Sequence, residues 1–446
     1  MDGTGPRRPR WARALVAGFV AFELVAAGVL VARDTDDPVT TTGAKPASAG
    51  PTPDRPRQGA ADRSAVVRAN AVTDLLERRA RAIRRRDRTS FTATLDVTQR
   101  AFVTRQLKLF DALAEVPLAE WRYDLVTADE ATPPQRKYGA AETWAPRVTL
   151  RYRLTGYDTS ATAADQYLTF VRRGTRWLVA DDADFDEDGR RTARDIWDFG
   201  PVSVVRGVRS LVLGHPGQHS FLRDVARHAD DAVPRVSRVW GTSWSRKVVV
   251  VVPATDDELG AIIGDDGDLS RIAAVAVAEL PGDTGNRPVG NRVIVNPPNF
   301  RRLGNLGRRV VLTHEVTHVA TRDDSAVGVP TWLVEGFADY VGYLGTGLSA
   351  RAICQELAAD VRAGRAPRQL PHDGDFDGGN DKLAQAYESA WLAVHLVVER
   401  AGEDGLVDLY RRAATRPLPE VLKDVTGLTV ERFLVQWRAY VKATLG

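Results

Sequence analysis

The sequence predicts an α+β chain: an N-terminal transmembrane helix, then a unit in which helices precede strands, then a unit in which a small sheet precedes helices. Three observations carry this. An arginine-led apolar run opens the chain, period-2 alternation appears near residue 150, and apolar positions take helical spacing after Gly307. With 446 residues the chain has room for two ordinary domains and an appendage. The formal net charge of +3 is small and argues against nucleic acid as the main partner, since such binding needs a concentrated basic face. Arginine far outnumbers lysine, which points to a GC-rich, bacterial genome. The single cysteine, Cys354, excludes an intramolecular disulfide or a cysteine metal cluster and reads as a small buried apolar residue.

Arg7, Arg8, Arg10 and Arg13 precede an apolar run from Ala14 to Ala32, broken only by Glu23. Its length suits a bilayer-crossing helix, and the leading arginines orient it with everything later outside the cytoplasm. Residues 1–33 are therefore expected to be a cytoplasmic tip and signal anchor. The alternative is a secreted chain, cleaved near the small residues Ala26–Gly28. Residues 34–63, rich in Pro, Thr, Ala and Gly, read as a disordered linker.

The first folded unit is expected over 64–182. Val66, Val67, Ala71, Leu75, Leu76 and Ile83 take helical spacing, as do Phe102, Leu107, Phe110 and Leu113. Strands follow: "RVTLRYRL" alternates Val148, Leu150, Tyr152 and Leu154, and "QYLTFVRRGTRWLVAD" reads as a hairpin turning at Gly174. The basic run from Glu77 to Arg88 reads as a solvated helix face, with contact to anionic lipid or wall polymer as the alternative. Helices followed by a curved antiparallel sheet resemble the cone-shaped fold of the nuclear-transport-factor-like superfamily, a fold that by itself implies no chemistry.

An acidic connector, 183–200, contains "DFDEDGRRTARD". Asp184, Asp186, Asp188 and Asp195 stand at positions one, three, five and twelve, with Gly189 at six, which is the spacing of an EF-hand calcium loop. Asp in place of Glu at twelve and Arg191 at eight depart from that pattern, and an acidic interdomain turn is the plainer reading.

The second unit, 201–446, opens with "KVVVVVP", a continuous apolar run ended by proline, as a buried strand would be. "RIAAVAVAEL" and "NRVIVNP" supply two more strands around a Gly-rich turn. Helices are expected over the segment containing "VLTHEVTHVAT", over "WLVEGFADYVGYL", over Ala350 to Arg362, and over two longer segments to the C-terminus.

His314 and His318 lie at i and i+4, on one face of a helix, where both imidazoles can reach one zinc ion. Glu315, beside the first, can hold and deprotonate a metal-bound water. Seventeen residues after His318 comes Glu335, on a second helix started by Pro330 and Thr331, and Asp339 follows on the same face. Asp339 is placed to accept the ring N–H of a liganding histidine.

His314-Glu315-Val316-Thr317-His318, followed by Glu335-Gly336-Phe337-Ala338-Asp339, resembles the gluzincin metallopeptidases, the thermolysin-like and peptidase-MA-like enzymes. The resemblance covers about 200 residues and implies a thermolysin-like zincin fold, with Zn2+ held by His314, His318 and Glu335. It implies Glu315 as general base, Asp339 as orienting partner and a peptide or protein as substrate. It also implies a downstream oxyanion donor, for which Tyr387 in "LAQAYESAWLAVHLVVERAG" is the candidate, the alternative being a partly buried tyrosine on an amphipathic helix. "NRVIVNP" is expected to be the edge strand along which an extended substrate lies. Asp324 stands where a metzincin would have its third ligand, but Thr321 replaces the required glycine and no Met-turn can form. His372 and His395 are outsiders, the latter read as a core histidine.

These readings converge on a membrane-anchored, outward-facing zinc metallopeptidase, a hydrolase. The competing reading is a surface scaffold or sensor with a structural or inactive zinc site, and Glu315 favours the enzyme.

Overall fold

The computed structural model describes residues 13–18, 55–133, 135–264, 272–279, 288–322 and 328–446. Strand β1 (Arg13–Gly18) precedes helix α1 (Arg55–Arg85), and α2 (Arg88–Thr92) and α3 (Arg100–Ala112) complete a helical layer. Strands β2 (Leu118–Ala131) and β3 (Glu142–Leu154) flank the short α4 (Gln135–Tyr138). They are followed by β4 (Thr162–Tyr167), β5 (Thr169–Arg173) and β6 (Arg176–Asp181). These five strands form an antiparallel sheet in the order β2-β3-β5-β6, with β4 paired to β3. Helices precede strands as expected, and the β5–β6 hairpin turns at Gly174, whose φ is 61°.

The second unit continues with β7 (Ser203–Arg206), β8 (Ser210–Gly214), α5 (His219–Trp240), β9 (Val248–Val251), α6 (Asp256–Ile263), β10 (Ala274–Glu279) and β11 (Val289–Val295). The helices α7 (Pro297–Arg302), α8 (Asn305–Thr321), α9 (Thr331–Tyr343), α10 (Ala350–Ile353) and α11 (Gln355–Arg362) follow. Last come α12 (Leu383–Ala413), α13 (Leu418–Thr426) and α14 (Val430–Leu445). The sheet runs β1-β10-β11-β9-β8-β7, with β8, β9 and β11 parallel and β10 antiparallel to β11.

Three expectations need correction. "NRVIVNP" is β11, an interior strand, and the strand outside it is β10. The segment 34–63 is not coil throughout: α1 begins at Arg55, because Pro56 at the first turn and the Arg and Ala that follow favour a helix. Residues Arg13–Gly18, the start of the run read as a membrane-crossing helix, form β1 and pair antiparallel with β10 from Arg13↔Glu279 to Gly18↔Ala274. The outer edge of β10 offers unpaired backbone groups that an apolar extended segment satisfies. The rest of that run, 19–32, lies outside the described residues. Among the described residues no helix is long and apolar enough to cross a membrane.

Period-2 alternation gives the large sheet two apolar faces. Ala274, Ala276, Val293 and Val295 point to one core, shared with α5, α8, α9 and α12. Val275, Val277 and Ile294 point to the other, shared with Leu76, Phe110, Trp121 and Tyr152 of the first unit. The two units thus meet in one continuous core. Arg292 of β11 donates two hydrogen bonds to Asp158, at 2.7 and 2.9 Å, with both side chains buried. Gly290, at φ 63°, lets Thr162 close in, since a Cβ there would stand 2.2 Å from the Thr162 hydroxyl.

The helices around the site approach as tightly. A Cβ at Gly336 of α9 would lie 2.5 Å from the Ala390 carbonyl of α12. In Gly336→Ala that clash outweighs the better helix propensity of alanine. We expect a loss of about 1–3 kcal/mol of stability, as overpacking costs. Thermal melting checks this, and an unchanged melting temperature would mean that the two helices do not touch there.

Candidate metal centre

Helix α8 is buried from Val310 to Thr321, so its polar side chains must be satisfied locally. Two of its three threonines do so within the helix: Thr313 Oγ1 donates to the Arg309 carbonyl at 2.7 Å and Thr317 Oγ1 to the Thr313 carbonyl at 2.8 Å. Thr321 Oγ1 accepts from the Tyr410 hydroxyl at 3.3 Å. His314 and His318 lie one turn apart, their ring centroids 4.6 Å from each other and their Nε2 atoms 2.9 Å apart.

Helix α9 brings Glu335 and Asp339 against them, again one turn apart and both buried. Asp339 Oδ1 accepts from His314 Nδ1 at 2.7 Å, which fixes the ring's tautomer and leaves the lone pair on Nε2. Glu335 Oε2 stands 3.3 Å from that Nε2 and 3.5 Å from His318 Nε2. One ligand atom from each of His314, His318 and Glu335 thus falls within 4.8 Å of the others, the one such cluster among the described residues.

A tetrahedral ion at about 2.0–2.2 Å from each ligand holds its ligand atoms roughly 3.3–3.6 Å apart. The Glu335 spacings of 3.3 and 3.5 Å fall in that range, the two imidazole nitrogens at 2.9 Å stand closer than it, and two imidazoles with one carboxylate are a donor set that zinc takes.

The two imidazoles differ: burial would lower His314, but Asp339 and then Glu335 and Glu315 outweigh it and hold the ring well above its usual range, so an ion would compete with a proton for its Nε2. Burial would raise the Glu335 carboxyl, but His318 and His314 outweigh it and hold the group below its usual range. Burial pushes Asp339 up to about 6 against the pull of His314, and lowers His318 to about 4 against the pull of Glu335. Glu315, between the histidines, is fully buried and faces the same cluster.

Tyr387 of α12 is buried with its ring 6.4 Å from His314 and its hydroxyl directed at Glu335. Burial first, then Glu335, Asp339 and Glu315, push that hydroxyl well above its ordinary range, so it keeps its proton. Phe376 packs edge-on against the Tyr387 ring at 5.1 Å and fixes its position.

The structure therefore brings together His314, Glu315, His318, Glu335, Asp339 and Tyr387. It does not bring together the calcium loop. Lys137 Nζ contacts Asp184 Oδ1 at 2.5 Å, and Tyr138 and Thr169 also donate to Asp184, so an ammonium stands where a calcium ion would bind. Asp195 instead accepts from the Tyr152 hydroxyl at 2.6 Å and from the Ile196 amide, while Asp186 joins no cluster and Asp188 is exposed. His395 stacks on Trp391 at 4.2 Å and His372 is exposed beside Gln369. Asp324 lies outside the described residues.

Two features escaped the sequence reading. Phe376 sits in a Gly- and Asp-rich stretch that shows no periodicity. Arg322, one turn beyond His318, donates from Nη2 to the Ala276 carbonyl at 2.8 Å and ties the end of α8 to β10. Its spacing of four from His318 was the available signal.

No protein-family model matches the chain, and no curated protein matches it. Among solved structures it is similar to a variant of a two-domain M1 zinc metallopeptidase bound to L-arginine. That comparison gives 15% identity, a TM-score of 0.32, and coverage of 69% of this chain and 63% of the other. It is also similar to an M1 zinc metallopeptidase from Deinococcus radiodurans, at 17% identity and a TM-score of 0.32, covering 72% and 69% of the two chains. At this level of likeness the functional reading rests on the site's own geometry.

His314→Ala and Glu335→Ala are expected to abolish uptake of one zinc equivalent per chain. Asp339→Asn should keep the site but weaken it about 10–100-fold, the usual effect of losing a carboxylate behind a liganding histidine. Competition against a chromophoric chelator measures both.

Proposed function

We propose that the protein is a zinc-dependent peptidase, with His314, His318 and Glu335 holding the ion. The observation that carries this reading is the buried convergence of two imidazoles and a carboxylate, with Asp339 fixing His314 and a further carboxylate, Glu315, alongside. Bound zinc would supply Lewis acidity, polarising the scissile carbonyl and acidifying a nearby water.

The chain's own groups do the rest. Glu315 accepts the proton of the attacking water and passes it to the leaving amine. Tyr387, kept protonated by its buried acidic surroundings, donates a hydrogen bond to the oxygen on which charge develops. Apolar helices exclude bulk water and strengthen these interactions. An extended peptide would pair through its backbone with the outer edge of β10, the edge that β1 occupies here. Such pairing is largely blind to side-chain sequence.

We also place the enzyme on the outer side of a membrane, tethered through the arginine-led run. Pairing of residues 14–18 with β10 and insertion of the same residues in a bilayer exclude each other, so tethering requires β1 to leave the sheet. Recovery of the full chain in the cytoplasmic fraction would sink this location.

A fragment covering 55–446, presented with a peptide library, should cleave, and Glu315→Gln should bind zinc while cleaving nothing. Tyr387→Phe should lower kcat by about 10²–10³-fold, the typical effect of losing one oxyanion donor. If wild type and Glu315→Gln are equally inert in a zinc-loaded preparation, the peptidase reading fails and a scaffold remains.

A further inference from the structure

The basic run from Glu77 to Arg88, which spans the end of α1 and the start of α2, is not uniform. Arg78, Arg81, Arg84, Arg85, Arg86 and Arg88 are exposed, but Arg79 turns inward and is only 4% exposed. A guanidinium keeps its charge at any physiological pH, and a buried charge is costly without a counter-charge. The partners of Arg79 are all neutral. Its Nε donates to the Tyr123 hydroxyl at 3.3 Å, Nη1 to Thr94 Oγ1 at 3.4 Å, and Nη2 to Gln106 Oε1. The group also lies 4.3 Å from the Phe91 ring centre.

Among the described residues no carboxylate pairs with Arg79. The acid next along this network, Asp182, accepts from Gln106 Nε2 and is engaged by Arg105 at 3.0 Å and Arg194 at 2.8 Å. Three of the five guanidinium N–H donors are in use, and two are left.

Arg79 lines a cavity between the first unit and the back of the large sheet. Trp121, Tyr152 and Trp197 give it an aromatic wall, and Val277, Gly290 and Ile294 of β10 and β11 form its floor. Thr162 lines it as well, 3% exposed, and its hydroxyl has no hydrogen-bond partner. Of the other charges of the lining, Arg292 is paired with Asp158, and Arg194 with Asp182 and, at 3.8 Å, with Asp198; Asp195 accepts from the neutral Tyr152 hydroxyl and lies in the field of Arg292. Glu279 is the lining acid that the sheet contributes.

An uncompensated buried cation, an idle buried hydroxyl and aromatic walls around one cavity describe a ligand site. We propose that this cavity binds a small carboxylate with a flat apolar body, its charge on Arg79 and its body against the aromatic wall. The site does not depend on the metal centre. Its occupant would touch the back of β10, whose Ala274 and Ala276 pack toward α8 on the other side.

The test uses the full chain carrying His314→Ala, so that no carboxylate is counted at a metal ion. Benzoate is titrated calorimetrically and by thermal shift, with benzamide as its neutral match. Benzoate should bind saturably at one site and raise the melting temperature by a few degrees, and benzamide should not. Arg79→Met should weaken benzoate at least tenfold, and Thr162→Val several-fold. Absence of saturable benzoate binding, equal binding of benzamide, or indifference to Arg79→Met would each overturn the proposal. A second measurement needs no ligand: in carboxylate-free buffer Arg79→Met should melt no lower than its parent. A large drop, or failure to fold, would show that Arg79 is satisfied by the fold itself, and the proposal would fall.

Discussion

Two helices can offer ligands to one ion only if their backbones nearly touch, and the rest of the second unit is arranged around that constraint. Glu335 is a short reach from His314 and His318 because α9 lies directly on α8 and α12. Gly336 makes the second contact possible by removing the side chain that would meet the Ala390 carbonyl. Gly342 does the same toward α8, where a Cβ would lie 3.2 Å from the Val310 carbonyl. The closeness that builds the site also dries it. Four charged or chargeable side chains, His314, His318, Glu335 and Asp339, are at most 3% exposed. Such groups are tolerated in a core only when each faces an opposite partner, which the pairs across α8 and α9 supply.

That dry helical layer needs a support, and the large sheet provides it. Alternating residues of β10 and β11 serve two cores, one under α8 and one shared with the first unit. The first unit is therefore a wall of the same structure and not an independent appendage. The bidentate Arg292–Asp158 pair and the close approach at Gly290 fix its seat on β11. Any displacement of this unit would reach the back of the strands whose other face packs toward α8.

The parts legible in the sequence were those governed by local geometry. His314 with His318, and Glu335 with Asp339, follow from the helical period alone. The β5–β6 hairpin follows from Gly174, and β9 from an unbroken valine run. What failed needed distant partners. Chain order does not give sheet order, so β11 was taken for the edge when β10 lies outside it. The calcium spacing of Asp184 to Asp195 was intact, but Lys137, 47 residues away, neutralises Asp184. The long β2 was missed because only Trp121 of its residues is fully buried, which leaves too little alternation to read. In the basic run, composition could not show that Arg79 alone points inward.

The place of Glu315 is the strongest argument that the site does more than hold an ion. The orientation of His314 is already fixed by Asp339, and the two Nε2 atoms already share Glu335. A third buried carboxylate adds desolvation cost and like-charge repulsion without supplying a ligand to the three-atom cluster. A structural site would be more stable with an apolar residue there. A hydrolytic site, by contrast, needs one group able to take a proton and another able to give a hydrogen bond. Under the proposed function Glu315 and Tyr387 would be that complementary pair, and burial first, then Glu335, Asp339 and Glu315, keeps the phenol protonated.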